Sequence, residues 1–188
     1  MQYVIGDLLK IQKGIVAHQV NIYGIMGGGV ALHLAKLYPN LEKLYQLYCE
    51  SLIPKGKTGK PRKFINYSGK VLFWTDGILS YEKSDLIVAN CFSQGGEGKS
   101  SHTSYDAIVS CFNRIEEFRV QQNIPSNKNT YVPFGYGCGI ADGNWNIVRS
   151  ILANYTNIVV VCRIPDLVKY YGNPDQVFEM IKGMEVLP

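Results

Sequence analysis

Gly24-Ile25-Met26-Gly27-Gly28-Gly29 runs straight into Val30-Ala31-Leu32-His33-Leu34-Ala35-Lys36. The stretch follows Ile15-Val16-Ala17-His18-Gln19-Val20, an apolar run that reads as a strand, and it opens a helix that Pro39 stops. A second passage has the same grammar. Thr130 to Phe134 reads as a strand, Gly135-Tyr136-Gly137-Cys138-Gly139 follows, then Ile140-Ala141-Asp142-Gly143, and Asn144 to Ala153 reads as a helix. Glycine lets the main chain bring its N–H groups close to an anion, and the helix behind it adds a positive end. Two such passages predict a grip on a diphosphate from two sides.

Outward from these passages, strands and helices alternate. Tyr3–Ile5, Lys70–Trp74, Leu86–Phe92 and Ile158–Arg163 read as further strands. Further helices are expected over Leu41–Leu52 with Asn40 as cap, over Tyr105 to Gln122 capped by Thr103 or Ser104, and over Asp175–Ile181 opened by Pro174. Ser93–Ser101 and Pro54–Lys63 read as loops. Alternation of this kind calls for a three-layer α/β domain on a largely parallel sheet. Such sheets bind ligands beyond the carboxyl ends of their strands, where both glycine passages begin.

The 188 residues are expected to form one domain, 1–188; 46% are apolar and 18% charged, which excludes a disordered chain. A net charge of +4 suits an anionic ligand without singling out nucleic acid. The basic run Lys55–Lys63 (KGKTGKPRK) reads as a solvated loop, and a nucleic-acid partner is disfavoured. The cysteines number five, with no CxxC, so neither a disulfide framework nor a metal centre is expected. Cys91, Cys111 and Cys162 sit in apolar runs and read as core, which points to a reducing compartment. No leader and no membrane-length apolar run is visible, and a soluble cytoplasmic protein is expected.

The first glycine passage lacks the Gly-Lys-Ser/Thr of a Walker A loop. It also fails the GxGxxG dinucleotide fingerprint. NTP hydrolysis and hydride transfer to a nicotinamide are therefore disfavoured, and the ligand is some other nucleotide diphosphate.

Gly6-Asp7-Leu8, His18-Gln19-Val20-Asn21, Gly24 to Ala31 and Tyr136 to Trp145, taken in order, resemble the successive signatures of a macro domain. Within that family the chain is most similar to the branch of ADP-ribose 1''-phosphate phosphatases and terminal ADP-ribose hydrolases. Small phage and bacterial members share the pattern seen here as Gly24–Ala31 and Tyr38-Pro39 to Tyr45. The resemblance implies a three-layer αβα sandwich on a mixed, largely parallel six-stranded sheet. It implies ADP-ribose or a derivative as ligand; no cofactor is expected, the sequence itself shows no metal-ligand cluster and no membrane-length run, and a protein partner is left open.

The resemblance also assigns residues. Asp7 would accept from the adenine amino group, and the Leu8 N–H would read the ring. Met26, Gly27, Gly28, Gly29 and Val30 would lie along the distal ribose, near Gln94. Gly135, Tyr136, Gly137, Cys138, Gly139 and Ile140 would wrap the diphosphate, with the Tyr136 ring over the distal ribose. Gln94 and Ala141 stand where the terminal hydrolases carry lysine and aspartate, which disfavours lysine-based chemistry. His18 and Asn21 match the phosphatase branch. His18 would attack phosphorus or shuttle a proton, with its charge change near neutral pH, and Asn21 would orient a ribose hydroxyl. His33 has no comparable case, and Cys138 has no visible base and reads as packing. The implied activity is hydrolysis at the distal ribose, the 1''-phosphate first, with an O-acetyl or protein-linked ester as alternatives. A binding module without turnover is the competing implication.

Overall fold

The computed structural model describes residues 1–52, 68–76, 81, 84–96 and 102–187. The basic run Lys55–Lys63 and residues 97–101 lie outside the described residues. The strands are β1 (Gln2–Ile5), β2 (Gly14–Val20), β3 (Val71–Trp74), β4 (Leu86–Phe92), β5 (Gln94–Gly95), β6 (His102–Thr103), β7 (Thr130–Pro133), β8 (Ile158–Cys162) and β9 (Glu185–Val186). The helices are α1 (Gly29–Leu37), α2 (Pro39–Ser51), α3 (Tyr105–Gln121), α4 (Trp145–Leu152), α5 (Ile164–Tyr171) and α6 (Pro174–Ile181).

One sheet runs β3-β4-β2-β7-β8-β1-β9, with β3 antiparallel to β4 and every other pairing parallel. The central strands are apolar on both faces because both faces are covered. Ile15 and Ala17 of β2, Ile87 and Ala89 of β4 and Val160 of β8 pack with Ile108, Phe112, Trp145, Val148 and Leu167. The alternate residues Val16, Val20, Val88, Val159 and Val161 pack with Leu34, Leu41 and Tyr45 of α1 and α2. Helices therefore close the sheet from two sides, and the αβα sandwich is as expected.

The sheet has seven strands where six were expected. The seventh, β9, is a two-residue edge pairing with Val4 and Ile5. The Ser93–Ser101 stretch is not wholly loop: Gln94 and Gly95 pair with Thr103 and His102 in a small antiparallel ladder. Asn40 does not cap α2; Pro39 takes the first helical position and Tyr38 precedes it. Ser104 caps α3 by accepting from the Ala107 N–H, and Asn144 caps α4. Among the described residues no helix is long and apolar enough to cross a membrane.

Candidate functional site

β4, β2, β7, β8 and β1 point the same way, so their carboxyl ends share one edge of the sheet. A cleft of about 830 Å³ opens there, and both glycine passages line it. That volume is within the range of sites that enclose a small molecule. The strand order lays the cleft out in sequence. His18 and Asn21 belong to the β2 end, the Gly135 loop follows β7, Arg163 follows β8, and Asp7 follows β1. From β2 to β1 is three strand spacings, about 14 Å. An elongated ligand would thus meet an imidazole at one end and a carboxylate at the other.

Between those ends lie donors without acceptors among the described residues. In the second loop the N–H groups of Tyr136, Cys138, Asp142 and Gly143 are spent on Pro133, Gly135, Gly139 and Gly137 carbonyls. Those of Gly137, Gly139, Ile140 and Ala141 donate to no other described residue. α1 begins at Gly29 on the other side, and its N-cap, Gly28, has no side chain to accept the first-turn N–H groups. By contrast α3, α4 and α6 each carry a side-chain cap. An uncapped helix start facing a loop with idle amides is a cradle for an anion. The two loops touch across the cleft, since a Cβ on Gly28 would collide with Ile140 Cδ1.

A polar truss holds the second loop. Gln19 Nε2 donates to Thr103 Oγ1 (3.2 Å) and to the Ser93 carbonyl (3.2 Å). Thr103 Oγ1 donates to the Gly137 carbonyl at 2.5 Å. Gly137 has φ +72°, and a Cβ there would stand 2.9 Å from Thr103 Oγ1 and 3.1 Å from Gln19 Nε2. The glycine is required by conformation and by contact alike.

At the β1 end, Asp7 Oδ1 accepts from the Leu9 N–H at 3.0 Å and starts the short 3-10 turn Leu8–Lys10. Asp7 is thus a turn residue whose second carboxylate oxygen is left to the cleft. The Leu8 N–H donates to no other described residue. Asp7, Leu8, Gly27, Gly28, Gly29, Val30, Gln94 and Ile140 all line the cleft, as do Gly135, Tyr136, Gly137 and Gly139.

His18 lines the other end but is 1% exposed. Asn90 gives its Nδ2 to the Leu72 carbonyl (3.0 Å), so its Oδ1 accepts from His18 Nε2 at 2.9 Å. The ring is thereby fixed as the Nε2–H tautomer. Its Nδ1 is buried with no partner among the described residues. Burial lowers the imidazole pKa to about 4, against the hydrogen bond to Asn90. The expectation of a charge change near neutral pH is therefore corrected: desolvation keeps His18 neutral through the physiological range.

Asn21 lines the cleft too, but its amide organises the loop that follows. Its Nδ2 donates to the Ile25 carbonyl (2.8 Å), and its Oδ1 accepts from the Tyr23 N–H (2.8 Å) and the Tyr45 hydroxyl (3.0 Å). One N–H remains for a ligand.

Three expected contacts are corrected. The Met26 side chain is 3% exposed and packs in the α1–α2 core, outside the cleft lining. The Tyr136 ring does not cover a ribose. It is 1% exposed, sits edge-on to Phe112 and shares a 3.3 Å hydrogen bond with Ser93 Oγ. Cys138 packs against the α3–α4 core and lies outside the lining, and burial pushes its thiol up to about 11. Packing, as read from the sequence, is its role.

Other lining residues carry no expectation. His33 stands on α1 with Nδ1 donating to the Gly29 carbonyl at 2.8 Å. Arg163 and Asp166 pair at the start of α5, a helix absent from the expectations. Two signals could have found it: Pro165 in a first-turn position, and Arg163 at the carboxyl end of a core strand.

No protein-family model matches the chain. It is 33% identical over 123 residues to the ADP-ribose 1''-phosphate phosphatase of Saccharomyces cerevisiae, over 62% of this chain and 60% of that protein. The match thus spans less than two thirds of the yeast protein. It is 28% identical over 170 residues to an uncharacterized 17.5 kDa protein of Enterobacteria phage T4, over 86% of this chain and 95% of that one. In three dimensions it is similar to the macrodomain of Mycobacterium tuberculosis DarG, with a TM-score of 0.62 at 20% identity over 86% of this chain and 95% of that one. It is also similar to Thermosipho africanus DarTG, solved in complex with ADP-ribose, with a TM-score of 0.61 at 18% identity over 95% of this chain and 46% of that one. With this sandwich, the chain has the fold of these macrodomains, and over part of its length its sequence is similar to ADP-ribose 1''-phosphate phosphatases.

Proposed function

We propose that this macro domain binds ADP-ribose and hydrolyses a substituent at its distal ribose, the 1''-phosphate first. The order of groups along the cleft carries the reading. The Asp7 carboxylate and the Leu8 N–H suit the amino group and ring of adenine. The idle amides of the second loop and the bare start of α1 suit the diphosphate. The distal ribose then falls at the β2 end, beside His18. A neutral imidazole with its lone pair on Nδ1 suits attack on phosphorus better than acid catalysis. The new N–P bond forms as the P–O1'' bond breaks, the electron pair leaves on O1'', and solvent protonates it. Water then releases phosphate from the imidazole.

A second reading, a binder without turnover, is favoured by one observation. His18 Nδ1 is closed off from solvent, and the carboxylates of the cleft lining, Asp7 and Asp166, stand at the far end from it. A panel of ADP-ribose derivatives assayed for product release, beside calorimetry with ADP-ribose, separates the two. The proposal expects release of phosphate from ADP-ribose 1''-phosphate. Firm binding with no turnover of any derivative selects the binder.

ADP-ribose is expected to bind on the order of micromolar, about 8 kcal/mol, with AMP far weaker. Equal affinities would remove the distal half of the site from the proposal. Asp7→Asn tests the other half cleanly, because asparagine keeps an oxygen for the Leu9 cap. It is expected to fold normally and weaken ADP-ribose by roughly 1–3 kcal/mol, since a donor replaces an acceptor. Unchanged affinity would leave Asp7 a turn residue and nothing more.

A further inference from the structure

We infer that Tyr45 is a positioning residue for the distal half of the cleft: its hydroxyl, carried in from α2, pins the turn 21–25 and thereby sets where the amides of Gly27 and Gly28 stand. The inference rests on the reading of the cleft as an ADP-ribose site and names a residue that never touches the ligand.

Tyr45 stands on the inner face of α2 with Leu41 and Cys49, fully buried and outside the cleft lining. Its ring packs 5.9 Å from that of Phe92 at the end of β4, so the core fixes the phenol before it meets the loop. The hydroxyl donates to the Asn21 carbonyl at 2.6 Å and reaches Asn21 Oδ1 at 3.0 Å. The Gly24 and Ile25 N–H groups face its oxygen. Burial outweighs them and pushes the pKa well above the ordinary tyrosine value, so the group stays a donor. One hydroxyl thus ties the first residue of the turn to its last two.

The turn also rests on α2 at the same place. A Cβ on Gly24 would stand 3.5 Å from Cys49 Cβ and 3.7 Å from Gln46 Cα. Inside the turn the Asn21 amide gives Nδ2 to the Ile25 carbonyl and takes the Tyr23 N–H on Oδ1. Reversing that amide would set its oxygen against the Ile25 carbonyl and its nitrogen against the Tyr23 N–H and the Tyr45 hydroxyl proton. The N–H that Asn21 keeps for a ligand is therefore held in one place.

The chain then sinks Met26 into the α1–α2 core and only afterwards enters the cleft lining as Gly27, Gly28 and Gly29. The Gly27 and Gly28 N–H groups donate to no other described residue. Three glycines have no side chains to steady their own main chain. The anchors at Asn21, Gly24, Ile25 and Met26 do so from one side and α1 from the other. Donors held in place before binding lose less freedom when a ligand meets them. Loosening the turn should therefore weaken a ligand that reaches this loop and spare one that does not.

NMR titrations with ADP-ribose and with AMP on Tyr45→Phe test this, with Tyr155→Phe as a matched control. Tyr155 also gives its hydroxyl to a carbonyl, that of Val109 at 2.9 Å, but in the opposite helical layer and outside the cleft lining. Tyr45→Phe keeps the buried ring and is expected to bind ADP-ribose about tenfold more weakly while AMP stays within about twofold of wild type. Tyr155→Phe is expected to leave both affinities unchanged. Hydrogen exchange on the wild type needs no variant. The Tyr45 hydroxyl proton and the Tyr23 N–H are expected to exchange slowly, and the Gly27 and Gly28 N–H groups quickly until ADP-ribose, but not AMP, is added. A Tyr45→Phe protein that binds ADP-ribose like wild type would overturn the inference and leave the site standing. An equal fall in both affinities would do the same, because it reports a damaged fold and not a displaced loop. So would a Tyr45 hydroxyl proton or Tyr23 N–H that exchanges as fast as the Gly27 and Gly28 N–H groups. Wild type that binds neither ligand would instead remove the site reading itself, and the inference with it.

Discussion

Gly139→Val is expected to give a normally folded protein whose ADP-ribose affinity has dropped about 100-fold, equivalent to ~3 kcal/mol. Gly139 lines the cleft between the two idle-amide positions Gly137 and Ile140. A Cβ built there meets no protein atom within 4 Å. A valine at this position therefore costs the empty fold little and takes the space a diphosphate would occupy. The neighbouring glycine is the informative contrast. Gly137→Val collides with Thr103 and Gln19 and must hold φ near +72°, so it strikes the truss that shapes the loop. That variant is expected to lose thermal stability as well as binding, and its loss of binding carries no information about contact. Melting curves and calorimetry on both variants distinguish the cases. A folded Gly139→Val that binds ADP-ribose like wild type would show that the second loop does not face the diphosphate.

The contrast also marks what a sequence of this kind discloses. The six long strands and the α1, α2, α3, α4 and α6 helices follow from apolar periodicity and caps, signals carried by residues next to one another. The pieces that escaped lack those signals. β9 is two exposed residues, Glu185 and Val186, and forms only because β1 presents an open edge. α5 begins with Ile164-Pro165 directly after the strand read as Ile158–Arg163, and its N-cap, Arg163, makes no side-chain cap hydrogen bond. In the site, backbone roles were legible and side-chain directions were not. Glycine spacing marks a loop whose amides are free, because amides follow the chain. It does not say that the Tyr136 ring turns inward onto Phe112, or that the Asn21 amide is tied to Ile25, Tyr23 and Tyr45 with one N–H left over. The Tyr136–Phe112 and Asn21–Tyr45 contacts each join residues 24 positions apart along the chain, from different elements. His18 shows the same limit in electrostatic form. Its residue type promises a switch near neutrality, and only the burial supplied by the folded sheet removes it.

His18→Ala is expected to lower turnover of ADP-ribose 1''-phosphate about 100- to 10,000-fold while leaving ADP-ribose affinity within a few-fold of wild type. The cause is that an imidazole acting on phosphorus is felt in the transition state, whereas ground-state binding is carried by Asp7 and the loop amides. The pH dependence makes the assignment specific. With a folded-state pKa of about 4, the neutral ring required for attack persists as pH falls, so kcat/KM should hold from neutrality down to about pH 5 and fail near pH 4. An acid limb centred near the ordinary histidine value would point to another group, with Asn21 and His33 replaced next. Stability supplies a check that needs no substrate. Because the folded pKa is depressed, the unfolded chain binds the extra proton first. The contribution of His18 is thus complete above the ordinary histidine value of 6.5 and is lost as pH falls from there to about 4, by about 3 kcal/mol in all. Urea titrations of wild type and His18→Gln across that window should show the wild-type stability falling more steeply. Parallel pH slopes would mean that His18 is not held neutral by burial. Wild-type turnover in a folded His18→Ala protein would eliminate it from the chemistry.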